Sequence, residues 1–220
     1  MNEINREDVR KQVVNMLADL KDLAALYMEN DRKVAEMEGN AAYSREYKDA
    51  EIQKIREQLD EKVSGTFENL REHFEGMVEI MRENDQVYDF SSPDFISCIT
   101  LISAVEKPLP LETITGIAAK FAGNRQALLA LSELAKGRNK DTIKEMLFDT
   151  ETQAASLQNR IEDLEIGFPK SVLMIPTLKD EIVKIAKIYG EELDDAEQDL
   201  GVDYQDIVTM QMRAAMGLTN

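Results

Sequence analysis

From Val9 onward, apolar residues recur at alternating steps of four and three: Val9, Val13, Met16, Leu20, Leu23 and Tyr27, continued by Asn30, Val34 and Met37. That spacing keeps one narrow stripe on a single side of an α-helix and is the seam of a coiled coil. A strand, with its period of two, would scatter the same residues over both faces. The flanks are charged, with Glu7/Lys11 and Glu29/Lys33 at i,i+4 in the favourable order. The polar member, Asn30, either fixes register within the seam or faces water near the helix end.

Extending the same phase puts Ala41, Ser44 and Lys48 on the stripe, so the pattern fails at Gly39-Asn40. A left-handed glycine cap is expected there. A second run follows: Ile52, Ile55, Leu59, Val63, Phe67, Leu70, Phe74, Met77 and Met81. Its successive steps of four up to Phe67 make a stutter, which locally unwinds a supercoil. No proline occurs before Pro93. Gly65 and Gly76 each weaken the helix by about 1 kcal/mol without breaking it.

Residues 1–90 therefore predict an antiparallel coiled-coil hairpin of two long helices, about 50 and 65 Å. Folding about residue 40 sets Val9 opposite the neighbourhood of Arg71 and carries Phe74, Met77 and Met81 past the first helix. A two-helix hairpin buries only one seam. Val9, Val13, Met16, Leu20, Leu23, Tyr27, Phe74, Met77 and Met81 are thus the candidate interaction residues, for the C-terminal helices or for another copy of the chain.

Residues 91–138 read as a small three-helix module. Ser92 caps a helix with Pro93 at its first position and Asp94 in its first turn. It runs to Glu106, with Phe95, Ile96, Ile99, Leu101, Ile102 and Val105 inward. Cys98 has no base or cation nearby in sequence and reads as a buried, inert thiol. After the stiff corner Lys107-Pro108-Leu109-Pro110, one helix runs from about Leu111 to Gly123. A second, capped by Asn124, runs from Arg125 to Lys136. The stretch FAGNRQALLAL (Phe121–Leu131) looks like the bend of a DNA-reading helix-turn-helix. However, Asn124 and Ser132 fall where that motif wants apolar residues, and only Arg125, Gln126 and Lys136 could read DNA. Ile114, Ile117, Phe121, Leu128, Leu131 and Leu134 account for the pair as packed helices.

Residues 139–220 predict C-terminal helices. The first runs from Asn139 or Asp141 to about Ile166, on a third four-three seam of Ile143, Leu147, Thr150, Ala154, Leu157, Ile161 and Leu164. A proline-containing linker covers 168–177, with Ser171–Ile175 as a short strand candidate. Thr177 caps a helix that turns Leu178, Ile182, Ile185 and Ile188 inward. The acid run GEELDDAEQDLG lacks calcium-loop spacing, since Leu200 and Asp206 stand where Gly and a bidentate Glu belong. It reads as a solvated helix end. The tail is a short helix whose Met210, Met212 and Met216 are adaptable gap-fillers or a partner-binding edge.

The chain has 220 residues, 31% of them charged, no Trp, five Pro and a net charge of −17. The charge is partitioned: −9 over 1–90, +2 over 91–140 and −10 over 141–220. Most of the surface repels nucleic-acid backbones, and only the middle segment could approach them. The lone cysteine precludes an intrachain disulfide and points to a reducing compartment. The charged N-terminus is not a signal peptide, and the apolar stretch Phe95–Val105 is far short of a bilayer span, so a soluble cytoplasmic chain is expected. A single histidine, His73, rules out multi-histidine metal sites, and no phosphate loop or nucleophile motif occurs. The expectation is a non-enzymatic chain with no catalytic, cofactor or metal residue.

The seam Val9–Met37 with its continuation Ile52–Met81, and the capped module SSPDFISCITLISAVEKPLP…FAGNRQAL, resemble the layout of helical assembly proteins of tailed bacteriophages and prophages, scaffolding proteins among them. The resemblance covers the whole chain as layout. It implies an all-α homo-oligomer that contacts other structural proteins (coat or portal), needs no cofactor and is cytoplasmic or incorporated in a virion or procapsid. It transfers no site residue. The competing reading is a DNA-binding regulator that uses residues 111–136, with Arg125 and Gln126 as contacts and the arm as a dimerisation element.

Overall fold

A computed structural model describes residues 6–84, 88–147, 149–189 and 191–215. The fold is all-α, and no strand occurs among the described residues. The helices are α1 (Arg6–Gly39), α2 (Arg45–Asn84), α3 (Pro93–Ala104), α4 (Leu111–Ala119), α5 (Arg125–Leu134), α6 (Arg138–Glu145), α7 (Thr150–Gly167), α8 (Ile175–Ile188), α9 (Asp195–Gln198) and α10 (Tyr204–Ala215). A 3-10 turn, Lys170–Met174, leads into α8.

The chain forms two compact units, neither of them a continuous stretch of sequence. The first comprises the chain up to Lys11, Gly76–Ser156 and Lys184–Glu192. The second comprises Gln12–Glu75, Leu157–Val183 and the chain from Leu193 on. Segment 1–90 thus contributes to both.

In the second unit α1 and α2 pack as an antiparallel hairpin. Lys48 Nζ donates to the Glu38 carbonyl (2.7 Å), and His73 Nδ1 lies 2.7 Å from Asp19 Oδ2. Leu26, Glu29, Asn30 and Lys33 of α1 share one shallow groove with Ile55, Gln58, Leu59 and Lys62 of α2. The turn spans 40–44. Asn40 Oδ1 accepts from the Ala42 N–H (3.0 Å), and Ser44 Oγ accepts from the Tyr47 N–H (3.3 Å) at the start of α2.

Two expectations about this hairpin are corrected. Gly39 is not a left-handed cap, since positive-φ glycines among the described residues are Gly123, Gly137 and Gly201. The Lys48 ammonium satisfies an end carbonyl of α1 instead. The register is also shifted: folding about residue 40 sets residue 7, not Asp19, opposite His73. Asp19 pairs with His73, so Phe74 lies beside the middle of α1 rather than past its end. Met77 and Met81 belong to the first unit and are fully buried there.

The seam residues are the ones buried: Val9, Val13, Met16, Leu20 and Leu23 are at 0% exposure, as are Leu70, Met77 and Met81. Between Met16 and Ala24 the buried face is wider than one stripe, because Leu17, Asp19 and Ala24 are buried too. A helix covered on more than one side needs this broader face. The covering elements of the second unit are α7, α8 and the chain after them. Phe67 meets Phe168 edge-on at 5.9 Å, Arg71 pairs with Glu165 at 3.0 Å, and Arg160 of α7 pairs with Glu181 of α8 at 3.0 Å. Leu157, Ile161, Leu164, Val172, Leu178, Ile182 and Ile207 complete that core. Beyond Tyr27, α1 buries nothing fully, and Asn30 is half-buried with its Oδ1 lacking a protein partner.

Three further segments depart from expectation. The helix foreseen from Asn139 or Asp141 to Ile166 is two helices, α6 ending at Glu145 and α7 beginning at Thr150. Asp149 starts the second one: its carbonyl takes the Gln153 N–H and its carboxylate takes the Thr152 hydroxyl. Local side-chain bonding of this kind competes with helix continuation. The strand candidate Ser171–Ile175 is the 3-10 turn and the start of α8, with Pro176 in the first turn, where a missing N–H costs nothing. Consequently α8 begins before Thr177. The acid run folds into α9 through a capping box, Asp194 with Glu197.

A candidate docking surface on the three-helix module

The first unit holds the module that the sequence set apart. Ser92 caps α3, accepting from the Phe95 N–H (3.4 Å), with Pro93 at the first helical position. Phe95, Cys98 and Ile102 point inward along one stripe. They join Ile114, Ile117, Phe121, Leu128, Leu131 and Ile143 in a single core. Tyr88, Phe95 and Phe121 contact one another edge-to-face at 5.3–6.0 Å, and Phe90 adds to the cluster at 5.2 Å from Phe95. Burial pushes the Cys98 thiol up, with Lys120 pulling it partly back, so it rests as the neutral, weakly nucleophilic form.

The α4–α5 bend answers the helix-turn-helix question structurally. Gly123 has φ +79°, and a Cβ there would overlap the buried ring of Tyr189. Asn124 is 5% exposed, and its Oδ1 accepts from the Ala127 N–H at 2.9 Å. It is the α5 cap, which is why a polar residue stands where a DNA reader has an apolar one. Gln126 Oε1 accepts from the Tyr88 N–H (3.3 Å), so it is committed inside the unit. Arg125 is exposed. Elsewhere α5 is mostly covered, packing against both α3 and α6.

Leu134, Ile96 and Leu101 were expected inward and are not. They are 39%, 50% and 45% exposed, and Leu111 is 53% exposed. The reason is geometric. A short helix packed on one side buries one stripe, here 95/98/102. It leaves the rows 96/100/103 and 97/101/104 outside. Asp94 is the only charge in α3; it is exposed and begins the second of these rows, three residues before Ser97 and seven before Leu101.

Two of the hydroxyls on those rows, Ser97 and Thr100, are used within the helix. Ser97 Oγ donates to the Pro93 carbonyl, and Thr100 Oγ1 to the Ile96 carbonyl, both at 2.7 Å. The end of α3 meets the end of α5, where Lys136 Nζ donates to the Val105 carbonyl at 3.1 Å. Ile102, Val105, Lys107, Pro108, Leu109, Lys136 and Asn139 line a recess of about 10 Å³ there. Leu101 precedes the lining residue Ile102, and Leu111 and Leu134 each stand two positions from one, Leu109 and Lys136.

The interaction residues read from the sequence occupy different places. Val9, Val13, Met16, Leu20, Leu23, Tyr27, Phe74, Met77 and Met81 are all 7% exposed or less, filled against the chain itself. They hold the fold and offer no free surface. What the sequence missed is the outer face of α3. Its signal was an apolar helix with too many apolar residues for one stripe. In the tail, Met212 is 59% exposed, while the Met210 side chain and Met216 lie outside the described residues.

No group of His, Cys, Asp and Glu among the described residues is arranged to hold a metal ion. No helix among them is long and apolar enough to cross a membrane. Comparison with protein-family models, with curated proteins and with solved structures finds no match to this chain.

Proposed function

We propose that this protein acts without catalysis, as an assembly protein that associates with itself and docks other structural proteins through helix faces. Virion assembly of a tailed phage is the setting that fits its layout. One observation carries the reading: on a chain of net charge −17, α3 carries a single charge, Asp94, and exposes Ile96 and Leu101. An exposed apolar face on an otherwise strongly charged surface is the signature of a contact site. The seam residues are buried within the chain, and the exposed apolar residues of α3 are the surface assigned here to partners.

Sedimentation and light scattering on the purified full-length chain test this. A dimer or larger species is expected at physiological salt. A strictly monomeric chain at high concentration overturns the self-association part of the proposal.

A further inference from the structure

We infer that the recess beside the end of α3 and the start of α6 is a binding site for one internal water molecule, held by the Asn139 amide oxygen and the Lys136 ammonium. Asn139 carries the argument. It is the second residue of α6 and is only 3% exposed. It is not the helix cap, since Gly137, at φ +56°, holds that position. Its N–H donates to the Lys136 carbonyl at 3.3 Å. Its Oδ1 is buried and meets no hydrogen-bond donor among the described residues. A buried amide oxygen left unmet is costly, and in native folds such groups are paired with protein or with ordered water.

The recess suits a water in size and in chemistry. Asn139 lines it together with Ile102, Val105, Lys107, Pro108 and Lys136, all within the first unit. It offers about 10 Å³ to the centre of a water molecule, which is room for one. Lys136 Nζ spends one of its donors on the Val105 carbonyl, at 3.1 Å, and keeps the others. The Val105 carbonyl keeps a second lone pair. An anion, which the lysines would attract, sets negative oxygen against Asn139 Oδ1. A cation faces the Lys136 ammonium. A small neutral molecule that both donates and accepts satisfies both groups, and water is the one that fits. It donates to Asn139 Oδ1 and to the Val105 carbonyl and accepts from Lys136. The end of α3 is thereby tied to the start of α6 as well as to Lys136.

Water-selective NOE and rotating-frame NOE spectra of the full chain test the inference. A long-held water gives cross-peaks of opposite sign in the two spectra, whereas a passing surface water gives the same sign. The side-chain amide of Gln53, exposed on α2 and bonded to Glu57, serves as control. Opposite signs are expected at the Asn139 amide and the Val105 methyls, and the same sign at Gln53. Asn139→Leu removes the acceptor at similar size and should abolish the signal at Val105. No water cross-peak at Asn139, or one of the same sign as at Gln53, overturns the site. So does a Val105 signal that survives Asn139→Leu. Should that variant fail to fold, the wild-type spectra decide alone.

Discussion

His73 Nδ1 and Asp19 Oδ2 sit 2.7 Å apart, joining α2 to α1 where the Asp19 side chain is only 10% exposed. Burial pushes the Asp19 carboxyl up; the hydrogen bond and charge of His73 pull it partway back, and Asp22 adds a smaller upward push. A folded-state value above the unfolded one means that the folded chain holds this proton more tightly. The resulting stabilisation is complete below the ordinary carboxylate range and is lost as pH rises through the raised value. Thermal melts of wild type and Asp19→Asn, at about pH 3 and pH 6, isolate this contribution. The variant's midpoint should rise relative to wild type between the two pH values.

Removing the other partner acts differently. His73→Ala leaves the buried Asp19 carboxylate with no imidazole, and should cost about 1–3 kcal/mol in urea unfolding near neutral pH. An unchanged midpoint would mean that water replaces the imidazole fully.

Gly123 and Gly65 should respond to alanine with opposite signs. At Gly123 the backbone is left-handed and a Cβ would strike the Tyr189 ring, so Gly123→Ala should destabilise by about 2–4 kcal/mol. At Gly65, within α2, nothing lies within 4 Å of the added carbon. Gly65→Ala should therefore stabilise by about 0.5–1 kcal/mol. Denaturant midpoints at unchanged slope read both.

Leu23 lies in the seam at 0% exposure. Leu23→Ala should lower stability by about 2–5 kcal/mol, as deep core truncations do. The oligomeric state of the chains that remain folded should not change. A shift in association without loss of stability would instead make the seam an intermolecular surface.

Asn124 is the cap of α5, and Asn124→Ala removes the acceptor for the Ala127 N–H. A loss of about 1 kcal/mol is expected in chemical denaturation.

Much of this fold is legible in local sequence. The seams Val9–Tyr27 and Ile52–Met81 name the buried stripes because helical period alone decides which residues share a side. Ser92 and Asn124 announce helix starts through chemistry confined to one turn. Gly123 and Gly137 mark stops, with φ of +79° and +56°. What escaped depends on residues far apart in the chain. The hairpin register follows from how α1 meets α2 over many turns, and the glycine at 39 does not reveal it. The break between Glu145 and Thr150 was hidden because the four-three step passes through it unchanged, while Asp149 redirects the backbone. The outward turn of Ile96, Leu101 and Leu134 was missed because hydropathy reports what a residue prefers, not whether a neighbour arrives to cover it.

Each unit draws on three separated stretches of the polypeptide, the last beginning at Lys184 in one and at Leu193 in the other. During synthesis, therefore, one core cannot close before Lys184 is made, nor the other before Leu193. The long apolar stripe of α1, made well before those stretches, must wait for its cover. Nascent chains of this protein should depend on chaperones that shelter such stripes, and a stop codon before Lys184 should yield an insoluble product rather than a shortened, working one.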